Sequence, residues 1–186
     1  MNATKKQIDI RNLTAAAVCL ALSILLPYLT GRIQQLGTAF SPMHIPILLC
    51  GFVCGPYYAA IIGAAAPFLN HMVSGMPMLP MASVMSPELA VYGLAAGLLY
   101  RALAKKKDYI YVSLIGAMIA GRVAFGIAGW LIFSVLGIFE VPFTWGWEFF
   151  VNGALITAAP GIILHIVLIP VIVMALQKAR FITAEQ

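Results

Sequence analysis

The chain has 186 residues, 62% of them hydrophobic and 9% charged, with a formal net charge of +5. A soluble domain carries about 25% charged residues, so this chain has too few to cover a water-facing surface, and lipid is the solvent for most of it. The positive charge does not point to nucleic acid, because it sits in short clusters at the ends of apolar runs without interleaved aromatics.

Lys5, Lys6 and Arg11 precede the first apolar run, over residues 13–29. A basic start before an apolar stretch mimics a secretory signal, but the run ends in Tyr28-Leu29-Thr30-Gly31-Arg32 with no small-residue cleavage site. It therefore reads as a retained helix. A span needs about 20 mainly apolar residues. The stretch 33–87 holds no charged residue and is long enough for two helices. Gly37, Pro42 and Pro46 introduce a short helix over 45–54, Gly55-Pro56 ends it, and a third helix follows over 57–73. Residues 75–80, with one glycine and two prolines, read as a loop. The fourth helix is expected over 84–100, the fifth over 109–136 and the sixth over 149–176, where Pro160 and Pro170 are placed to kink it.

Six spans put both termini on one side. With that side inside, nine of the eleven basic residues are cytoplasmic: positions 5, 6, 11, 101, 105, 106, 107, 178 and 180. The chain is thus expected to be an all-α integral membrane bundle of six helices in a single domain, with cytoplasmic termini. The longer connections, 30–44, 74–83 and 137–148, then lie outside and read as a cover over an outward-facing site. There is no internal repeat, no soluble domain and no phosphate-binding G-x-x-x-x-G-K loop, so any ATP hydrolysis must come from another protein. Cys19, Cys50 and Cys54 lie within apolar runs and read as small buried side chains rather than a disulfide framework.

Arg122 carries the most information. It lies 13 residues in from Tyr109, about 20 Å along the fifth helix, where a guanidinium needs a partner or a cavity. Two readings stand side by side: a clamp for an anionic substrate group, and a structural ion pair with Glu88. For Glu88 the alternative is a role at the start of the fourth helix, with Ser86 as its cap and Pro87 at its first position. Asn70 and His71 at the end of the third helix, His44 at the start of the second and Asn152 at the start of the sixth lie toward the outer face. With Trp145, Trp147 and Glu148 they form a polar and aromatic rim of the kind that lines small-molecule pockets. The tryptophans also suit an interfacial belt. His165 reads as a packing residue, and the three histidines share no metal-ligand spacing. Ala17 and Ala21, four apart on the first helix, allow close helix approach to a partner; Gly93 and Gly97 do the same on the fourth, where they read as internal packing. No nucleophile–base–orienter set is present, so no enzymatic activity and no cofactor are expected.

Several of these features resemble the substrate-binding S-components of energy-coupling factor (ECF) vitamin transporters. They are Ala17-x-x-x-Ala21, His44-Ile45-Pro46 with Gly51 and Gly55-Pro56, Gly75-Met76-Pro77, Glu88-Leu89-Ala90-x-Tyr92-Gly93 and Gly121-Arg122. The resemblance implies a multi-pass protein of a bacterial cell membrane that captures a vitamin from outside. It also implies partners: a transmembrane coupling subunit, against which the alanine pair docks, and two ATPase subunits. Carried onto this chain, it implicates Glu88, Tyr92, Arg122, Trp145 and Asn152 in substrate binding, in a set closer to the pantothenate- and folate-type branch than to others. Two other classes remain open: a small membrane scaffold, which needs no buried arginine or converging polar rim, and a self-sufficient secondary transporter, which would show inverted repeats.

Overall fold

The computed structural model describes residues 10–29, 37, 39–103, 107–139 and 144–179. The basic residues at 5, 6, 105, 106 and 180, and parts of the loops 30–44 and 137–148, lie outside the described residues. Within them the chain is helical, without strands. In order come α1 (Ile10–Leu29), α2 (His44–Val53), α3 (Pro56–Ser74), α4 (Leu79–Ala102), α5 (Lys107–Gly129), α6 (Trp147–Val151) and α7 (Ala159–Lys178). Two π-helical segments, Trp130–Val135 and Asn152–Ile156, extend α5 and α6. Four stretches are long and apolar enough to cross a membrane: Ile10–Tyr28, Leu79–Ala102, Tyr109–Val135 and Ala159–Lys178.

Three boundaries differ from those expected. The fourth helix begins at Leu79 rather than at residue 84, because Pro80 falls in its first turn, where a missing N–H costs nothing. Only Gly75 to Met78 remain as loop, opened by Gly75 at φ 72°, which closes α3 through its N–H to the His71 carbonyl. Ser86 and Pro87 are consequently interior to α4 and do not cap it; the Ser86 hydroxyl donates instead to the Ala64 carbonyl of α3 at 2.8 Å. The expected sixth helix is two helices. The chain turns at Thr157–Ala158, and Pro160 occupies the first turn of α7.

Half-length α2 organises the interior. Its ten residues cover about 15 Å, half a bilayer core, and eight of them are buried. A helix that is apolar on every side has to be enclosed, and α1, α3, α4 and α7 all pack on it. The seam between α2, α3 and α4 is made of missing side chains. A Cβ on Gly93 would stand 2.7 Å from the Ala59 backbone, and one on Gly97 2.6 Å from Pro56 N; on Gly51 it would stand 2.8 Å from the Gly93 carbonyl. The glycine pair of α4 is therefore an internal contact, and backbones meet there as small-residue helix pairs do in lipid.

Prolines inside these helices strand carbonyls that no water can reach, so side chains must answer them. Pro27 of α1 cannot donate to the Ser23 carbonyl; Asn70 of α3 does so through Nδ2 at 3.0 Å. At the opposite end, Gln177 of α7 donates to the Tyr100 hydroxyl of α4, and Tyr100 meets Phe52 of α2 edge-to-face at 5.0 Å.

Substituting Asn70→Ala should lower stability by about 1–3 kcal/mol, the cost of an unanswered buried carbonyl. In a Pro27→Ala background, whose restored N–H serves Ser23, the loss should shrink. Thermal melts of the four proteins in detergent form the cycle; equal losses in both backgrounds would separate Asn70 from the proline.

Candidate functional site

Four helices converge on one buried ion pair. Glu88 lies nine residues into α4, and Arg122 lies 15 residues after Lys107 and 13 before Val135, midway along α5 and its π extension. Arg122 Nη1 donates to Glu88 Oε1 at 2.9 Å; the glutamate side chain is 1% exposed and the arginine 15%. His44, the first residue of α2, brings Nε2 to 3.7 Å from the same oxygen, beyond hydrogen-bonding distance. Tyr92, one turn from Glu88 on α4, meets the His44 ring edge-to-face at 5.3 Å, and His165 of α7 stacks on its other side at 6.0 Å.

Local sequence explains this convergence. Glu88 and Tyr92 share a helix face at i,i+4 spacing. Gly121, beside Arg122, lets the Tyr92 ring lie against α5, where a Cβ would come within 2.8 Å of it. Gly161 lets the Ala39–Phe40 backbone cross α7, since a Cβ would sit 2.6 Å from the Ala39 carbonyl. That crossing brings the chain to the start of α2, with His44 facing His165 one turn beyond Gly161. Several buried polar atoms here have no protein partner: both ring nitrogens of His44, Nε2 of His165 and Nε of Arg122. In a low-dielectric interior such atoms are costly unless another molecule meets them.

An aromatic tier lies one turn away, toward the Gly75 end of the bundle. Val84 precedes Glu88 by four residues and Phe125 follows Arg122 by three, and both pack with Trp145. The indole stands 5.3 Å from Phe125, 5.3 Å from Phe133 and 5.2 Å from Phe149. It lies against Gly129, where any side chain would overlap its ring. Trp145 is 8% exposed, whereas Trp147 is 76% exposed and suits an interfacial belt.

The structure thus brings together Arg122, Glu88, His44 and Tyr92, with Trp145 in the adjoining tier. Asn70 sits about 9 Å further along α3, six residues beyond Ala64, the residue that pairs with Ser86, and serves the Ser23 carbonyl. His71 donates through Nδ1 to the Pro77 carbonyl, 2.9 Å away, and ties the loop rather than the cluster. Neither residue ends its helix, since α3 continues to Ser74. Asn152 opens the second π segment and is exposed. Ala17 and Ala21 are exposed on α1, while their neighbour Ala16 is buried. His165, read from the sequence as packing, belongs to the cluster; a lone titratable residue in so apolar a helix was the available signal.

Arg122→Met should cost about 3–5 kcal/mol by stranding the buried Glu88 carboxylate, seen as aggregation or a large loss of melting temperature on size exclusion. Pairing it with Glu88→Leu should restore a monodisperse, stable protein. A stable single variant would mean that Glu88 has another partner.

A protein-family model described as the ECF transporter, substrate-specific component, matches residues 11–173. Comparisons with curated proteins and with solved structures return no significant match. The family match begins in α1 and ends in α7, so it contains the ion pair, both histidines and the aromatic tier. Proteins of this family are binding components of transporters, not enzymes. With one model accounting for 11–173 of 186 residues, the chain belongs to the substrate-specific components of ECF transporters.

Proposed function

We propose that this chain captures a small micronutrient at the outer face of a bacterial cell membrane, in the space bounded by the Glu88–Arg122 pair, His44, His165, Tyr92 and the Trp145 tier. The observation that carries this reading is the set of buried, unpartnered polar atoms on His44, His165 and Arg122, gathered from three separate helices beside an aromatic cluster. A scaffold protein has no use for such groups, whereas a binding pocket needs convergent polar atoms under an apolar wall. S-components work with transmembrane and ATPase subunits; a coupling subunit and two ATPases acting in trans fit a chain in which no nucleotide motif occurs. The pantothenate- and folate-type branch is the substrate group its motifs resemble. The sequence offered two readings of Arg122, a clamp for a substrate anion and an ion pair with Glu88, and the pair is present at 2.9 Å.

The identity of the ligand is open to direct measurement. Denaturing the purified protein and analysing the released small molecules by mass spectrometry should yield one stoichiometric compound. His44→Ala and His165→Ala should both lose it, and retention in both would move the site elsewhere.

The proposed topology has six passes: α1, α2, α3, α4, α5, and α6 with α7. Both termini are then cytoplasmic. In a cysteine-free background, a cysteine at position 78 should react with an impermeant reagent from outside and one at 106 should not. The reverse pattern would overturn the orientation.

Ala17 and Ala21 are proposed as the docking face for the coupling subunit. Both are exposed on a helix whose apolar residues Leu13, Val18 and Leu25 also face outward. Ala17→Trp or Ala21→Trp should abolish uptake in cells while leaving the ligand bound to the purified subunit, because a bulky ring blocks close helix approach. Loss of the ligand itself would place that face inside the bundle's own packing.

A further inference from the structure

We infer that the cluster selects its ligand through an uncharged group that both donates and accepts hydrogen bonds, with the charge of Arg122 reserved for Glu88. The inference rests on the proposed reading of this cluster as the binding site and goes further by naming the ligand's chemical class.

The groups facing one another are His44 from α2, Glu88 and Tyr92 from α4, Arg122 from α5 and His165 from α7. Only two carry formal charge independently of a proton on histidine, and they cancel across 2.9 Å. Glu88 is almost wholly buried and offers the same oxygen toward Arg122 and toward His44. A ligand carboxylate placed here meets one of two obstacles. Sharing Arg122 with Glu88 puts two like charges on one guanidinium in a low-dielectric space, which disfavours ionisation of one of them. Displacing Glu88 leaves a buried carboxylate that, among the described residues, could turn only to a protonated His44, whose Nε2 stands 3.7 Å away.

What remains open is of a different kind. Arg122 Nε is a donor. A neutral imidazole carries one donor and one acceptor nitrogen, and three imidazole nitrogens in the cluster have no partner. The complement is a group with a donor and an acceptor side by side, such as an amide, an imide-type ring edge or an alcohol. Sites built from buried hydrogen-bonding groups reject analogues that leave those groups unpaired. One turn away stand Phe125, Trp145 and Phe149, which favour a flat or apolar body on the same molecule. Arg122 is then a positioning residue: it fixes Glu88 through Nη1, and its buried Nε has no protein partner.

The charge balance can be read with acetate as the probe on full-length protein in detergent, following melting temperature against chloride at equal ionic strength. Wild type should show no acetate-specific shift. Glu88→Gln keeps the shape but frees Arg122, and acetate should raise its melting temperature saturably by a few degrees; in Glu88→Gln with Arg122→Met that rise should vanish. If Glu88→Gln fails to fold alone, recovery when acetate is present throughout purification gives the same answer. An acetate shift in wild type equal to that of Glu88→Gln, or none in Glu88→Gln, or one that survives Arg122→Met, overturns the inference. These melts do not depend on where the physiological ligand binds. The site reading fails by its own result, the retention of the released small molecule in His44→Ala and His165→Ala.

Discussion

A single buried ion pair, Glu88 with Arg122, sets the terms for everything packed around it. Neither charge is tolerable alone in hydrocarbon, so α4 and α5 have to hold a fixed register that keeps 2.9 Å between Nη1 and Oε1. That register is reinforced along the seam by Gly121 under Tyr92 and Gly116 under Leu99. It also aligns Val84 with Phe125 and so places the aromatic tier. The polar and apolar parts of the candidate site follow from one alignment of two helices.

The second constraint is backbone proximity. The close α2–α3–α4 seam exists because Gly51, Gly93 and Gly97 have no side chains to keep the chains apart. The half-length α2 is thereby drawn inside, and its first residue, His44, comes to 3.7 Å from Glu88 Oε1. A longer or more polar second helix could not be enclosed this way. The cost is a buried helix start whose histidine nitrogens lack protein partners, the same atoms that make the cluster a candidate for binding.

Much of this was legible in the sequence, for identifiable reasons. A charge inside an apolar run is conspicuous, so Arg122 and Glu88 stood out, and both readings of the arginine could be stated in advance. Gly55-Pro56 and the absence of charge over 33–87 located the short second helix. Ser86-Pro87-Glu88 misled because it imitates a helix start. In lipid, a helix continues through proline when neighbours answer the freed backbone, and here Ser86 is spent on the Ala64 carbonyl instead. His165 was opaque because its place depends on Gly161 admitting the distant Ala39–Phe40 segment, a contact that no local pattern encodes. Asn70 looked like a rim residue because its true partner, the Ser23 carbonyl, becomes visible only once Pro27 and α3 are placed together. Trp145 and Trp147, two residues apart with the same sequence signal, separate only in three dimensions into one buried and one exposed indole.

The π-helical stretch Trp130–Val135 gives the aromatic tier a particular sensitivity to chain length. Its last turn closes through the Leu136 N–H to the Leu131 carbonyl, five residues back instead of four. Such a turn amounts to an α-helix with one residue inserted. Deleting a single residue there would restore the ordinary ladder and change which side chains within 130–135 face the indole, while positions beyond the bulge kept their face. Phe133 would swing off the Trp145 ring while Phe125, Arg122 and all that precedes them stayed in place. A change of length at this point is therefore a way to repack the aromatic tier without disturbing the ion pair beneath it. Insertions and deletions, more than substitutions, are the currency in which such a tier would diversify.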